Sequence, residues 1–528
     1  MLAERPAKRQ RTRGNGAFDA LPRSISPPVP KTPMVVKSPW QLTWVRDVPV
    51  ELNHDAVSIK DLLGDPLISE CWQFNFLFDI DFLMEAFDAD TQHLVKVHIV
   101  HGFWKREDPN RILLMQEAAK FSNVNLHEAP MPEMFGTHHS KMMVLFRHDD
   151  TAQVIIHTAN MIAKDWTNMT NAVWRSRPLP KLPDGCASAT PANRPLGSGC
   201  RFKSDLLEYL ESYDRRKPVC RQLAGELRRY DFSSVQAALV ASVPGKHAMG
   251  SSAAWGWTRL KSCLHAIDCA QDQSEIVVQV SSIATLGSTD DWLQKTLFEA
   301  LASTSSSHGC QKRPVLRLVF PTANEIRESI DGYVSGGSIH TKIQSPQQAK
   351  QLTYMRPLLH HWANDSRGSD ELNGDTACIE ASMEPKDGGR ARAAPHIKTY
   401  IRYSCNGSTT IDWALLTSAN LSRQAWGEAV KRSGAAAEGE VRIASWEIGV
   451  LVWPALYGHG SVMVGTFRSD NPSVEPWTER LAAESTSAIV GLRIPYSMPL
   501  RRYGSDEVPW VVSMSHSQPD CRGRVWKA

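Results

Sequence analysis

The chain has 528 residues, 42% of them hydrophobic and 22% charged, the make-up of a soluble globular protein of roughly two large domains and not of a collagen, a coiled coil or a disordered chain. Lys and Arg exceed Asp and Glu by only +3, so a polyanion would have to be held in a local groove, not by bulk charge. No apolar run reaches the ~18 residues of a membrane span, the basic segment Met1 to Arg13 lacks the apolar stretch of a secretory signal, and the ten cysteines form no CxxC pair, which suits reduced intracellular thiols and speaks against a structural zinc.

In chain order, residues 1 to about 35 are basic and Pro-rich and read as a disordered tail. Within it, Lys8 to Arg13 is equally a nuclear address or a solvated basic run. Patterning then predicts helices at Ile59–Leu63 and Asp81–Phe87, a strand at Val95–Val100, a helix at Ile112–Phe121 and strands at Lys141–Phe146 and Val154–Ile156. A Pro- and Gly-rich surface loop at 177–200 precedes a predicted helix at Phe202–Arg215. Beyond it come a strand at Ile276–Val280, a helix at Asp291–Ala302, a Ser-rich loop at 302–313, a strand at Val315–Phe320 and a helix at Gln347–Trp362. A flexible insertion at 364–394, a strand at Trp413–Leu416, a loop at 433–440 and a strand at Ile448–Trp453 follow. Strands interleaved with helices predict an α/β layered fold.

One internal repeat stands out. His139 and Lys141 form an H-x-K pair, and His396 and Lys398 form another 257 positions along the chain. Residues two apart in a strand share a face, so each pair presents an imidazole beside an ammonium, a combination suited to phosphate. Among 18 histidines roughly one such pair arises by chance, and His340-Thr-Lys342, which leads into a polar stretch with no strand, is assigned to that background as a surface histidine. The other two continue into an apolar strand and a second shared pattern. Asn160 follows Lys141 by 19 positions within Thr158-Ala-Asn-Met161, Asn420 follows Lys398 by 22 within Ser418-Ala-Asn-Leu421, and Trp166 and Trp426 lie six beyond each asparagine.

Two such half-sites suit phosphodiester cleavage, one imidazole attacking phosphorus while the other protonates the leaving oxygen. Lysines and asparagines around them supply donors to the equatorial oxygens. No metal or cofactor is required. A metal reading of His138 and His139 lacks the H-E-x-x-H spacing, and Gly245-Lys246 lacks the earlier glycine of a P-loop.

These motifs, with Phe74-Asn-Phe-Leu-Phe-Asp-Ile-Asp81, Phe135-Gly-Thr-His-His-Ser-Lys141, Gly332-Tyr-Val-Ser-Gly-Gly-Ser338, Thr417-Ser-Ala-Asn-Leu-Ser422 and Ser445-Trp-Glu-Ile-Gly-Val450, make the chain from about Pro39 onward resemble the tyrosyl-DNA phosphodiesterases of the phospholipase D superfamily. Wider members of that superfamily carry an aspartate five positions after the lysine, where this chain has Phe146 and Tyr403. The resemblance implies two similar α/β domains with mixed sheets flanked by helices, here 36–230 and 231–528, and a pseudo-twofold active site between them. It implies a monomeric nuclear repair enzyme, without a membrane anchor, that hydrolyses the bond between a DNA 3′-phosphate and a topoisomerase tyrosine.

By the same resemblance His139 is the nucleophile, His396 the general acid and then base, and Lys141, Lys398, Asn160 and Asn420 the clamp on the phosphoryl group. Glu447 orients a catalytic imidazole. Asn171 stands where the family usually has a glutamine, and its shorter amide is expected to need a water to reach its histidine. Phe135 matches a base-stacking aromatic, Ser281, Ser282, Ser338 and Ser422 match contacts to the phosphates of a single strand, and Phe76 occupies a position where some relatives have tyrosine. Two rival readings are a catalytically dead DNA-binding scaffold, weakened by the presence of all six catalytic side chains, and a phospholipase or general nuclease of the superfamily, which would need the missing aspartates.

Overall fold

A computed structural model describes residues 34–528 apart from 184–193, 216, 250–254, 270–273, 306–311, 364–384, 406–408, 431–438 and 475–486. The basic stretch at Lys8 to Arg13 and most of the 433–440 loop therefore lie outside the described residues.

The apolar runs between Trp40 and Pro180 assemble an eight-stranded mixed sheet. Ile68–Phe74, Lys96–His101 and Val124–Glu128 lie parallel in that order, with the helices Ile80–Glu85 and Pro109–Ala118 as crossovers between them. Parallel strands need such crossovers, which is why helix-period and strand-period segments alternate here. Met142–Arg147 then pairs antiparallel with Ile68–Phe74, and Thr151–His157 with Met142–Arg147.

The second half repeats this plan. Ser274–Gln279, Val315–Val319 and Leu359–His360 lie parallel, Thr399–Cys405 runs antiparallel to Ser274–Gln279, and Thr409–Thr417 pairs back onto Thr399–Cys405. Together with Ala238–Ser242, Glu447–Val452, Val462–Thr466 and Ala488–Arg493 these strands belong to a ten-stranded sheet. The mixed α/β architecture in two similar halves is the one the sequence predicted.

Four local expectations change. Met34–Val36, placed in the tail, is an edge strand parallel to Ala488–Arg493, an element whose partner lies some 450 residues away. The helix predicted at Gln347–Trp362 ends at Met355, because Pro357 sits in the 3-10 turn Arg356–Leu358 and the chain re-enters the sheet as Leu359–His360. In the 364–394 stretch, residues from Lys386 onward are packed: Lys386 pairs with Met498, and Arg390, Ala393 and Ala394 are buried. The H-x-K pairs stand just ahead of Met142–Arg147 and Thr399–Cys405, not within those strands.

Aromatic packing joins the halves. Trp446 stacks on Tyr213 with centroids 3.7 Å apart and meets Tyr209 edge-on at 5.6 Å. Tyr213 follows the helix Gly199–Glu211, and its hydroxyl lies 3.0 Å from His138 Nε2 while His138 Nδ1 lies 3.0 Å from the Asn75 carbonyl. The residue beside His139 is thereby fixed on both ring nitrogens.

Candidate active site

The spacing of the repeated motif has a simple geometric cause. Each H-x-K enters an antiparallel strand pair, and each [ST]-A-N leaves it, so the out-and-back path returns the asparagine to the end of the sheet where the histidine and lysine stand. Trp166 Nε1 donates to the Asn160 carbonyl at 3.0 Å, and Trp426 Nε1 donates to the Asn420 carbonyl at 3.1 Å. The tryptophan six residues on is thus a brace for the asparagine backbone, identical in both halves.

The two half-sites are locked to each other by backbone. The His139 N–H donates to the Trp446 carbonyl at 3.0 Å, and the His396 N–H donates to the Thr170 carbonyl at 2.9 Å. In each case the next residue reaches the histidine ring from the opposite half. Glu447 Oε2 lies 2.9 Å from His139 Nδ1, and Asn171 Oδ1 lies 3.3 Å from His396 Nδ1. Ser418 Oγ donates to Glu447 Oε2 at 2.5 Å, and Thr158 Oγ1 donates to Asn171 Oδ1 at 2.8 Å. Asn171 is therefore the symmetry counterpart of Glu447 and reaches its histidine directly, correcting the expectation of a bridging water.

The symmetry breaks at one carboxylate that sequence reasoning missed. Asp165, fully buried, places Oδ2 3.1 Å from His396 Nδ1 and accepts the Asn160 N–H at 2.7 Å. Asn171 Nδ2 donates to the Asp165 carbonyl at 2.8 Å. Where Glu447 alone serves His139, His396 has an amide hydrogen-bonded at Nδ1 and a carboxylate standing beside it. Acceptors on Nδ1 fix the tautomer that carries hydrogen there, leaving Nε2 of both rings with a free lone pair.

Lys141 and Lys398 are fully buried and Asn160 nearly so, with no partner for Asn160 Oδ1 among the described residues. Asn420 is oriented by Oδ1, which accepts the N–H groups of Ser281 and Ser282 at 3.1 and 2.9 Å. Burial pulls His139 down to about 4 against the opposing pull of Glu447, and pulls Lys141 down to about 8. Burial and then the Lys398 and Lys141 charges push His396 well below its usual range. Burial likewise lowers Lys398 and raises Asp165, the latter held back by the hydrogen bond from Asn160. Glu447 and Asp165 offset part of the cost of burying these two lysines, and an anion bound between them would offset more.

The predicted strand contacts divide. Phe135 is 79% exposed, as a stacking surface requires. Ser282 and Ser338 are half-buried. Ser281 and Ser422 have structural work instead: the Ser281 hydroxyl faces Asn420 Oδ1 at 3.3 Å, and Ser422 Oγ caps the helix Arg423–Trp426 by accepting the Ala425 N–H. His340 has an exposed side chain, as expected of it, but its backbone pairs beside Ser282, its N–H donating to the Ser281 carbonyl. Among the described residues no group of three or more His, Cys, Asp or Glu is arranged to hold a metal ion, and no helix is long and apolar enough to cross a membrane.

Two similar α/β halves that each deliver a histidine, a lysine and an asparagine to one site define the phosphodiesterase class of enzyme. Within it the chain belongs to the tyrosyl-DNA phosphodiesterase family, whose model matches residues 39–504. A probable tyrosyl-DNA phosphodiesterase of Schizosaccharomyces pombe is 30% identical over 94% of this chain and 97% of its own length. Tyrosyl-DNA phosphodiesterase 1 of Arabidopsis thaliana is 29% identical over 100% of this chain and 82% of its own. The crystal structure of the yeast tyrosyl-DNA phosphodiesterase shares the fold at a TM-score of 0.59 and 18% identity, covering 91% of this chain and 100% of that one.

Proposed function

We propose that this protein is a DNA-repair phosphodiesterase that removes a tyrosyl peptide from a DNA 3′-phosphate through a phosphohistidine on His139. The observation that carries the reading is the reciprocal hold on the two imidazoles, each fixed at Nδ1 by the other half of the molecule. With His139 lowered to about 4, the ring is neutral and nucleophilic at neutral pH.

His139 Nε2 attacks phosphorus in line, the P–O bond to tyrosine breaks, and His396 delivers a proton from Nε2 to the departing phenolate. Water then attacks the phosphohistidine, giving its proton to His396 as the P–N bond breaks. His139 is restored and a 3′-phosphate leaves. Lys141, Lys398, Asn160 and Asn420 bind the equatorial oxygens, where charge gathers in the transition state. Because the free site holds His396 well below its usual range, the negative charge of the bound phosphate is what raises it into an acid's range. Nuclear action as a monomer belongs to the same proposal.

The test is cleavage of a 3′-phosphotyrosyl single strand in EDTA, with a denaturing gel to trap the adduct. Activity and a transient protein–DNA band are expected, both lost in His139→Ala. Unchanged turnover in His139→Ala would remove the phosphohistidine on His139, binding of the strand without turnover by the wild type would leave only a scaffold, and inactivity on this substrate with turnover of phosphatidylcholine would favour the phospholipase reading.

A further inference from the structure

The three parallel strands of the first half end on one side of the sheet, and each gives out an aromatic there. Phe76 follows Ile68–Phe74, Phe103 and Trp104 follow Lys96–His101, and Phe135 comes after Val124–Glu128. His101 and Glu128 are register partners, so the loops carrying Trp104 and Phe135 leave the sheet side by side. In open α/β sheets ligands gather beyond the carboxyl ends of the strands.

The aromatics run outward from the reaction centre. The Phe76 ring lies 5.9 Å from the ring of His139, and Phe103 lies 6.2 Å from Phe76. Gly102 abuts the catalytic loop, since a Cβ there would come 2.4 Å from His138 Cβ. The next residue outward, Trp104, is 46% exposed.

Its loop is braced where most exposed loops are loose. Arg111 Nη1 donates to the carbonyls of Phe103 and Trp104, each at 3.1 Å, and to Glu128 Oε2 at 3.2 Å. Asp108 turns inward to cap the helix Pro109–Ala118. Lys105 Nζ stands 5.4 Å from the Trp104 ring, and Lys105, Arg106 and Glu107 are exposed. A braced indole beside one cation, with a second exposed cation next along the chain, is the pairing of stacking surface and backbone charge that holds single-stranded nucleic acid.

We infer that Trp104 is a second base-stacking platform, taking a nucleobase of the substrate DNA beyond the one on Phe135, with Lys105 and Arg106 toward its phosphates. In-line geometry favours nucleic acid over the peptide as the occupant: the leaving tyrosine departs on the His396 side of phosphorus, whereas Trp104 lies out along the His139 side. The inference rests on the DNA-end reading above.

Full-length wild type, Trp104→Ala and Trp104→Phe are compared in two measurements: KM for 3′-phosphotyrosyl substrates carrying a dinucleotide or a strand of about fourteen nucleotides, and anisotropy of a labelled 3′-phosphate strand of the longer length. The alanine variant is expected to raise KM and Kd on the long strand at least about fivefold, the low end for loss of one base–aromatic stack. The KM ratio should be smaller on the dinucleotide, and the phenylalanine variant should restore most of the loss. Equal shifts on both lengths, or none, overturn the inference. So does a KM shift that grows with the tyrosyl peptide and not with the strand. Should the wild type cleave no 3′-phosphotyrosyl strand, the DNA-end reading falls, and the anisotropy arm still decides whether Trp104 binds nucleic acid.

Discussion

Asp165→Asn removes one negative charge and almost no volume, which makes it a sharp probe of how His396 is held. In the native site the Nδ1 hydrogen of His396 goes to the Asn171 amide oxygen at 3.3 Å, and the Asp165 carboxylate stands 3.1 Å from the same nitrogen, placed to pair with the ring once it is charged. Asp165 is fully buried, so no solvent replaces its charge. A hydrogen bond to a charged group contributes about 1.5–3 kcal/mol, which is about 10- to 150-fold in rate where the imidazolium forms.

That loss should fall on the second step. Water needs His396 as a base, and a base without its carboxylate is weaker. The phenolic leaving group of the first step is fairly acidic and depends less on the proton. Single-turnover release of tyrosine should therefore slow little, while the protein–DNA adduct decays some 10- to 150-fold more slowly and accumulates on a denaturing gel. Asn171→Ala should cost less, because the Asp165 carboxylate still stands beside Nδ1. Adduct decay within twofold of wild type in Asp165→Asn, or a larger defect in Asn171→Ala, would refute the assignment of the carboxylate as the main support.

Three further outcomes are expected. The acid limb of kcat/KM should rise through about 4 as His139 becomes neutral, and the alkaline limb should fall above about 8 as Lys141 loses its proton. Bound phosphate favours both ammonium forms, so the alkaline limb of kcat should lie at higher pH than that of kcat/KM; superimposed limbs in a pH–rate series would contradict this. Trp166→Phe should cost about 1–3 kcal/mol of stability by stranding the buried Asn160 carbonyl, read by urea denaturation, and should lower kcat/KM more than Km-independent folding loss explains. Trp446→Ala, which removes the ring stacked on Tyr213, should destabilise the chain by about 3–5 kcal/mol in the same assay.

The six repeated side chains were legible because duplication writes them twice, and the strand pair between lysine and asparagine fixes their spacing in both copies. The tryptophan at six positions was visible as a pattern, and the structure supplies its reason, a brace on the asparagine carbonyl. Asp165 escaped because it is not duplicated: the position five beyond Asn420 is Ala425, so repeat logic passes over the residue that breaks the symmetry. Ser281 and Ser422 match the family's strand contacts by type, yet a serine that braces an asparagine or caps a helix reads the same in sequence as one facing a ligand. Glu447 was placed by resemblance; what sequence could not give is that it crosses to the other half. Met34–Val36 was missed for a related reason, since three residues acquire strand character only from a partner near the far end of the chain.

The crossed support of the two histidines has a mechanical consequence. Each half carries a complete set of reacting groups but not the means to aim its own imidazole, so an isolated half would hold a histidine free to turn. A parting of the halves by an ångström or two would release both rings in the same movement, one from Glu447 and one from Asp165 and Asn171. The site is thus an interlock, able to act only when closed across its full width, and any ligand or mutation that loosens the seam should silence His139 and His396 together and not one at a time.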